Sequence, residues 1–174
     1  MVNARAKGKR GELEAAKVIR EVLGIEAQRG RQYCGIDEAP DVRVSISGLY
    51  VEVKRTERFH VVRVLDCAAR EAKEKIPFVV HRPNRKPWVV CFYLRDLRRL
   101  VSDLTKRELT EVRLFSRRTI EVQCVVGRRL LLYPKLEATA AKAAVTGSVP
   151  VLAYRGILIL YLEDLPRFIG ELEE

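Results

Sequence analysis

Apolar and polar residues alternate strictly along two stretches of residues 41–54. Asp41-Val42-Arg43-Val44-Ser45-Ile46 and Leu49-Tyr50-Val51-Glu52-Val53-Lys54 each read as a strand of period two, and Ser47-Gly48 between them is a two-residue turn signal. Such a hairpin sets Val44 against Val51 and Val42 against Val53 on an apolar face. On the other face it sets Asp41 against Lys54, with Glu52 diagonal to Asp41 and within side-chain reach. Two carboxylates and a lysine then converge on one side of a sheet. Taken alone, the hairpin is explained as well by a solvated polar face carrying an incidental ion pair.

The flanking pattern adds elements on both sides. Residues 1–10 are basic and suit a flexible arm, and a helix is predicted over 11–23, closing at Gly24. Glu12 is in phase with Ala16, Ile19 and Leu23, at helical offsets of four, seven and eleven. A carboxylate on a buried stripe is costly unless it is paired or binds a metal; the alternative is a charge complementing the helix dipole. Glu14 has a different phase and is expected to face water. A short strand over 25–29 and a glycine-bearing loop over 30–40 lead into the hairpin. Beyond it the pattern predicts a helix over 64–75, a strand over 76–81, a cationic loop over 82–87, a strand over 88–94 and a helix over 95–104. The alternation predicts an α/β fold, a mixed central β-sheet flanked by helices.

Residues 105–174 read as a degenerate repeat of this core unit, so that a core domain of 1–104 is followed by a worn copy. Glu111-Val112-Arg113-Leu114 matches Asp41-Val42-Arg43-Val44, and Ile120-Glu121-Val122-Gln123 matches Val51-Glu52-Val53-Lys54. Ala138, Ala141 and Lys142 match Ala69, Ala72 and Lys73, Val149-Pro150 matches Ile76-Pro77, and Tyr161-Leu162-Glu163-Asp164-Leu165 matches Tyr93-Leu94-Arg95-Asp96-Leu97. The copy has no counterpart of Glu12, carries Gln123 for Lys54 and has lost the cationic loop, so it is expected to be catalytically inert.

Charge then narrows the partner. The net charge is +10, and residues 1–104 hold 22 of the 33 Lys and Arg against 14 of the 23 Asp and Glu. The basic excess therefore sits with the hairpin, as expected of a footprint on a polyanion. No apolar run approaches the roughly 20 residues that span a bilayer, and no apolar segment follows the basic start, so no membrane or secretory role is expected. Cys34, Cys67, Cys91 and Cys124 are scattered without a C-x-x-C pair, which predicts free thiols in a reducing cytoplasm (a host cytoplasm if the chain is phage-encoded) and no zinc site. His60 and His81 are expected to be structural.

Glu12, Asp41 and Glu52 offer hard oxygen ligands, to which the Val53 carbonyl adds a backbone oxygen; Mg²⁺ suits such a set, with Mn²⁺ as a substitute. Lys54 beside them can orient or deprotonate a water, or stabilise charge on a phosphate. Glu12, Pro40-Asp41 and Glu52-Val53-Lys54 resemble the PD-(D/E)XK nuclease signature. Lys7-Gly8-Lys9-Arg10-Gly11-Glu12-Leu13-Glu14, Glu52-Val53-Lys54-Arg55 and the loop His81-Arg82-Pro83-Asn84-Arg85-Lys86-Pro87-Trp88 resemble Holliday junction resolvases of the archaeal and bacteriophage type, over about residues 3–100. The resemblance implies a restriction-endonuclease-like sheet and a homodimer that nicks two opposed strands of a four-way junction using Mg²⁺. It implies Glu12, Asp41, Glu52 and Lys54 as the catalytic set. Arg5, Lys7, Lys9, Arg10, Arg29, Arg31, Gln32, Arg55, Arg82, Asn84, Arg85 and Lys86 are the candidate DNA contacts. Leu13 departs from the pattern, standing where many relatives carry a basic residue. Other readings keep the chemistry but change the substrate to forks, flaps or duplex DNA, or keep the fold as a non-catalytic DNA-binding protein.

Overall fold

The first helix, α1, spans Ala4–Leu23, and residues 4–10, expected to form a flexible arm, are its opening turns. Ala, Arg and Lys are strong helix formers, and an isolated glycine costs only about 1 kcal/mol in a helix interior. The computed structural model describes residues 4–30, 39–108, 114, 119–127 and 130–173. Ala15, Ala16 and Ile19 bury the apolar stripe of α1.

Strand β1 (Ala27–Arg29) is shorter than its apolar pattern predicted and pairs antiparallel with β2 (Val42–Val44). Strand β3 (Leu49–Lys54) pairs antiparallel with β2 through Val42 and Val51, two residues away from the expected Val42–Val53 pairing. The reason is Ile46, which leaves the strand and buries itself in the core, while the Leu49 amide donates to the Ile46 carbonyl at 3.2 Å. The connection is therefore residues 45–48, longer than a two-residue turn. One step along the observed register sets Asp41 opposite Glu52 instead of Lys54.

Helix α2 (Val61–Ala72) starts three residues earlier than its pattern suggested, because Val61 is buried in series with Leu65, Ala68 and Ala72; it stops where Lys73 turns to a φ of 55°. Strand β4 (Ile76–His81) runs parallel to β3 and is buried throughout, which explains its unbroken apolar run. Strand β5 (Val89–Tyr93) returns antiparallel; a 3₁₀ turn at Leu94–Asp96 then opens helix α3 (Leu97–Thr105). The second half supplies β6 (Ile120–Cys124), α4 (Leu132–Thr146), β7 (Val149–Tyr154) and β8 (Ile157–Tyr161), then a 3₁₀ turn at Leu162–Asp164 and helix α5 (Leu165–Glu173). Residues 111–113, expected to form part of a second hairpin, lie outside the described residues.

The described strands form one mixed eight-stranded sheet in the order β1-β2-β3-β4-β5-β8-β7-β6, continuous across residue 104 through the β5–β8 pairing. Buried residues of α1, α3 and α5 cover one face, together with Val51, Val53, Phe78 and Phe92. Those of α2 and α4 cover the other, with Tyr50, Val79, Cys91 and Ile159. No described helix is long and apolar enough to cross a membrane. Phe78 and Phe92 stack with ring centroids 6.4 Å apart at the centre of the first layer. Phe92→Ala is expected to cost about 3–5 kcal/mol, read from denaturant unfolding.

Candidate active site

The pleat of β3 assigns its polar side chains to one layer. Tyr50 lies with α2, whereas Val51 and Val53 lie with α1, so Glu52 and Lys54 share the α2 side with Tyr50. Val42 lies with α1, which puts Asp41 on the α2 side as well, opposite Glu52. The Val53 amide donates to Asp41 Oδ2 at 2.9 Å, and Lys54 Nζ is hydrogen-bonded and ion-paired to Glu52 Oε1. The Tyr50 hydroxyl donates to Glu71 of α2 at 2.8 Å and closes the inner end of this row.

Burial is the largest influence on Asp41. With the neighbouring Glu52 charge it pushes the carboxyl up to about 7, against the opposing pull of the Val53 amide and Lys54. Burial pulls Lys54 down, but the Glu52 hydrogen bond and the charges of Glu52, Asp41 and Glu71 outweigh it and hold the ammonium protonated above its usual range. Lys54 is therefore a fixed cation here, which suits stabilising charge better than accepting a proton.

Two glycines allow the close packing around this row. The Gly30 amide donates to the Asp41 carbonyl at 2.8 Å, and a Cβ at Gly30 would stand 2.1 Å from the Pro40 carbonyl oxygen. A Cβ at Gly11 would meet the Arg55 Cβ at 3.0 Å, so α1 lies directly on the chain leaving β3. That approach brings Glu14, expected to face water, onto Arg55, whose Nη1 donates to both carboxylate oxygens at 2.7 Å. Arg82 joins them at 3.6 Å. Sequence reasoning missed this clamp because Glu14 and Arg55 are far apart in the chain and neither falls on an apolar stripe.

Glu12 is held elsewhere. Its Oε2 accepts from Arg29 Nε at 2.5 Å, on the α1 side of the sheet, and its charge is the smallest of the influences on Asp41. The structure thus brings Asp41, Glu52 and Lys54 together and keeps Glu12 paired beside them. Among the described residues no three of His, Cys, Asp and Glu stand close enough to hold a metal ion. Asp41 and Glu52 nevertheless fit a hard divalent cation: they are half-buried carboxylates whose mutual repulsion such an ion relieves.

The candidate DNA contacts gather partly at the end of β3 and β4. Lys7 pairs with Glu57 at 3.4 Å, and Glu57 also accepts from the Asn84 amide at 3.1 Å, tying α1 to the loop after β4. Arg82 lies over the Trp88 ring, 5.6 Å from its centroid. Lys86 pairs with Glu137 at 2.6 Å, while Arg85, Lys9 and Arg10 are exposed. Arg31 and Gln32 and the side chain of Arg5 lie outside the described residues. His81, opposite Lys54 in the β3–β4 register, is buried; its Nε2 lies 3.0 Å from the Thr56 carbonyl and its ring stacks on Phe59 at 3.9 Å. Burial lowers its pKa to about 4, and it fixes the segment that follows Lys54.

No family model matches the chain, and no curated protein matches it. Among solved structures it is similar to Hjc of Archaeoglobus fulgidus, a Holliday junction resolvase from an archaeal hyperthermophile. The identity is 21%, over 42% of this chain and 68% of that chain, with a TM-score of 0.31. A likeness of that extent decides neither fold nor activity.

Between pH 3.8 and about 7 the folded chain keeps a proton on Asp41 that the unfolded chain has released, so this group's contribution to stability falls as pH rises through that window. His81, depressed to about 4, acts with the opposite sign between pH 4 and 6.5, so the comparison must be made between variants. Asp41→Asn is expected to be more stable than the parent at pH 8 and to lose that advantage at pH 4, measured by denaturant midpoints. Gly30→Ala is expected to destabilise by about 1–3 kcal/mol, because the backbone beside Asp41 must move.

Proposed function

We propose that the protein is a metal-dependent DNA endonuclease that nicks four-way junctions. The observation that carries this reading is the Asp41–Glu52–Lys54 row: two facing carboxylates, one pushed up to about 7 by burial and its neighbour, with a protonated lysine on the second. Asp41, Glu52 and the Val53 carbonyl would hold a divalent cation, Mg²⁺ or Mn²⁺ in its place. Glu12, paired with Arg29 on the α1 side, would have to leave that pair to join them as a third acid. A cation held there would supply Lewis-acid stabilisation. Lys54 would offset the charge that builds on the phosphate, and the Asp41–Val53 hydrogen bond fixes the carboxylate against β3.

The substrate follows from charge and from the motif resemblance to Holliday junction resolvases. Lys9, Arg10 and Arg85 are exposed cations, the first two on α1 and the third on the loop after β4, and Arg82 and Asn84 belong to that same loop, which starts next to Lys54. Cations so placed hold phosphates and orient a duplex arm without reading its sequence. Paired nicks in one junction require two competent sites upon it.

A cleavage panel of four-way junction, fork, flap and linear duplex with Mg²⁺ tests the reading. Junction nicking with little duplex cutting is expected; preference for forks or flaps replaces the substrate, and binding without cleavage replaces the enzyme by a DNA-binding protein. Asp41→Asn and Lys54→Ala are each expected to lower cleavage by about 10²-fold or more while leaving junction binding within a few-fold. Mg²⁺ is expected to raise the melting temperature of the parent at pH 8 and to leave that of Asp41→Asn nearly unmoved.

A further inference from the structure

The two sides of the β5–β8 pairing repeat one another in detail. Strands β3 and β4 run parallel from Leu49 opposite Ile76, and β6 and β7 run parallel from Ile120 opposite Val149. The Ile76 amide donates to the Gly48 carbonyl and the Val149 amide to the Thr119 carbonyl, both at 2.8 Å. Helix α2 buries Val61, Leu65, Ala68 and Ala72; α4 buries Leu132, Leu136, Thr139 and Ala143 at the same intervals. The pairs Val79–Cys91, Val80–Val90 and His81–Val89 answer Leu152–Ile159, Ala153–Leu158 and Tyr154–Ile157. Leu94 N donates across the seam to Gly156 O at 2.8 Å, and Leu162 N to Trp88 O at 3.0 Å. Arg99 donates to the Glu74 carbonyl before β4, as Arg167 does to the Gly147 carbonyl before β7.

The seam has the form of a two-fold axis. Strands β5 and β8 pair antiparallel with Val89 opposite Tyr161, Cys91 opposite Ile159 and Tyr93 opposite Ile157. In the matched halves Tyr93 answers Tyr161, Val89 answers Ile157 and Cys91 answers Ile159. The Val89–Tyr161 pair therefore maps onto the Tyr93–Ile157 pair, the Cys91–Ile159 pair maps onto itself, and the axis runs through that central pair. This is the isologous geometry of a two-chain dimer, made here within one chain.

The same register revises which residues answer the site. It puts Gln123, not Glu121, in the place of Glu52, Cys124 in that of Val53 and Val125 in that of Lys54. Gln123 is a neutral amide whose Oε1 accepts from the Thr139 hydroxyl at 2.5 Å, and Val125 carries no charge. The carboxylate and the lysine are both gone.

We infer that the chain is a single-chain pseudo-dimer: β6 to α5 stand where a second subunit would stand, the β5 edge is closed by the chain's own β8, and one cutting site serves each molecule. The cutting consequence rests on the nuclease reading; the arrangement does not. Light scattering of the native protein at tens of micromolar is expected to give the mass of one chain, 19.9 kDa; twice that mass overturns the inference. On a supercoiled plasmid extruding a cruciform, nicked circles are expected to accumulate before linear product, because the second nick awaits a second molecule. Linear product formed without a nicked intermediate overturns the one-site arrangement. Gln123→Ala is expected to leave junction cleavage within two-fold at unchanged melting temperature, whereas Glu52→Ala lowers it by about 10²-fold; an equal loss in both overturns the inertness of the second half. A protein that cuts no DNA sinks the nuclease reading alone, and its mass still decides the arrangement.

Discussion

The antiparallel pairing of β5 with β8 is the constraint on which the molecule rests. Without it the sheet parts into β1 to β5 and β8 to β6, and each piece is left with a strand buried on both faces as its open edge. A sheet of this width gains its stability from two apolar layers, each drawing on both halves: α1, α3 and α5 above one face, α2 and α4 above the other. Burial on both faces also explains the near-continuous apolar runs of β4, β5, β7 and β8, which leave no polar face for water.

At the sheet's outer end the balance is different. Strand β3 is covered on its α1 side but keeps a row of polar side chains towards α2, and the row is only half sheltered. There burial works against the Asp41 charge while the Val53 amide and Lys54 work for it. The result is a group poised between its two protonation states. A fully solvated row would have ordinary acids; a fully buried one would require compensation for every charge. The partial cover from α2, which reaches the row through the Tyr50–Glu71 hydrogen bond, sets the site between these limits.

Much of this was legible in the chain. Period-two alternation located β2 and β3, the apolar stripe located α1, and continuous apolar runs located β4 and β5. The α/β class with a mixed sheet followed from their order. The hairpin register did not follow, because a turn signal at Ser47-Gly48 is local information, whereas the burial of Ile46 depends on a core built from distant helices. Asp41, Glu52 and Lys54 come together despite the shift, since moving by two residues keeps each side chain on its own face. Glu12 falls on the apolar stripe, where a carboxylate needs a partner, but pattern alone has no means of naming Arg29. Glu14 was misjudged for the same reason: its partner is brought in by the approach of Gly11 to Arg55, a tertiary contact.

The place of β8 inside the sheet, next to β5, has a consequence for synthesis. A nascent chain acquires β5 well before β8 leaves the ribosome, so for that interval the apolar edge of β5 is unpaired, with its backbone donors and acceptors open. Elements that complete a sheet from far along the sequence are slow to arrive and leave such edges open to pairing between chains. A nascent molecule of this kind profits from a chaperone or from brisk elongation over its last third. Truncation before β8 would leave a strand seeking a partner.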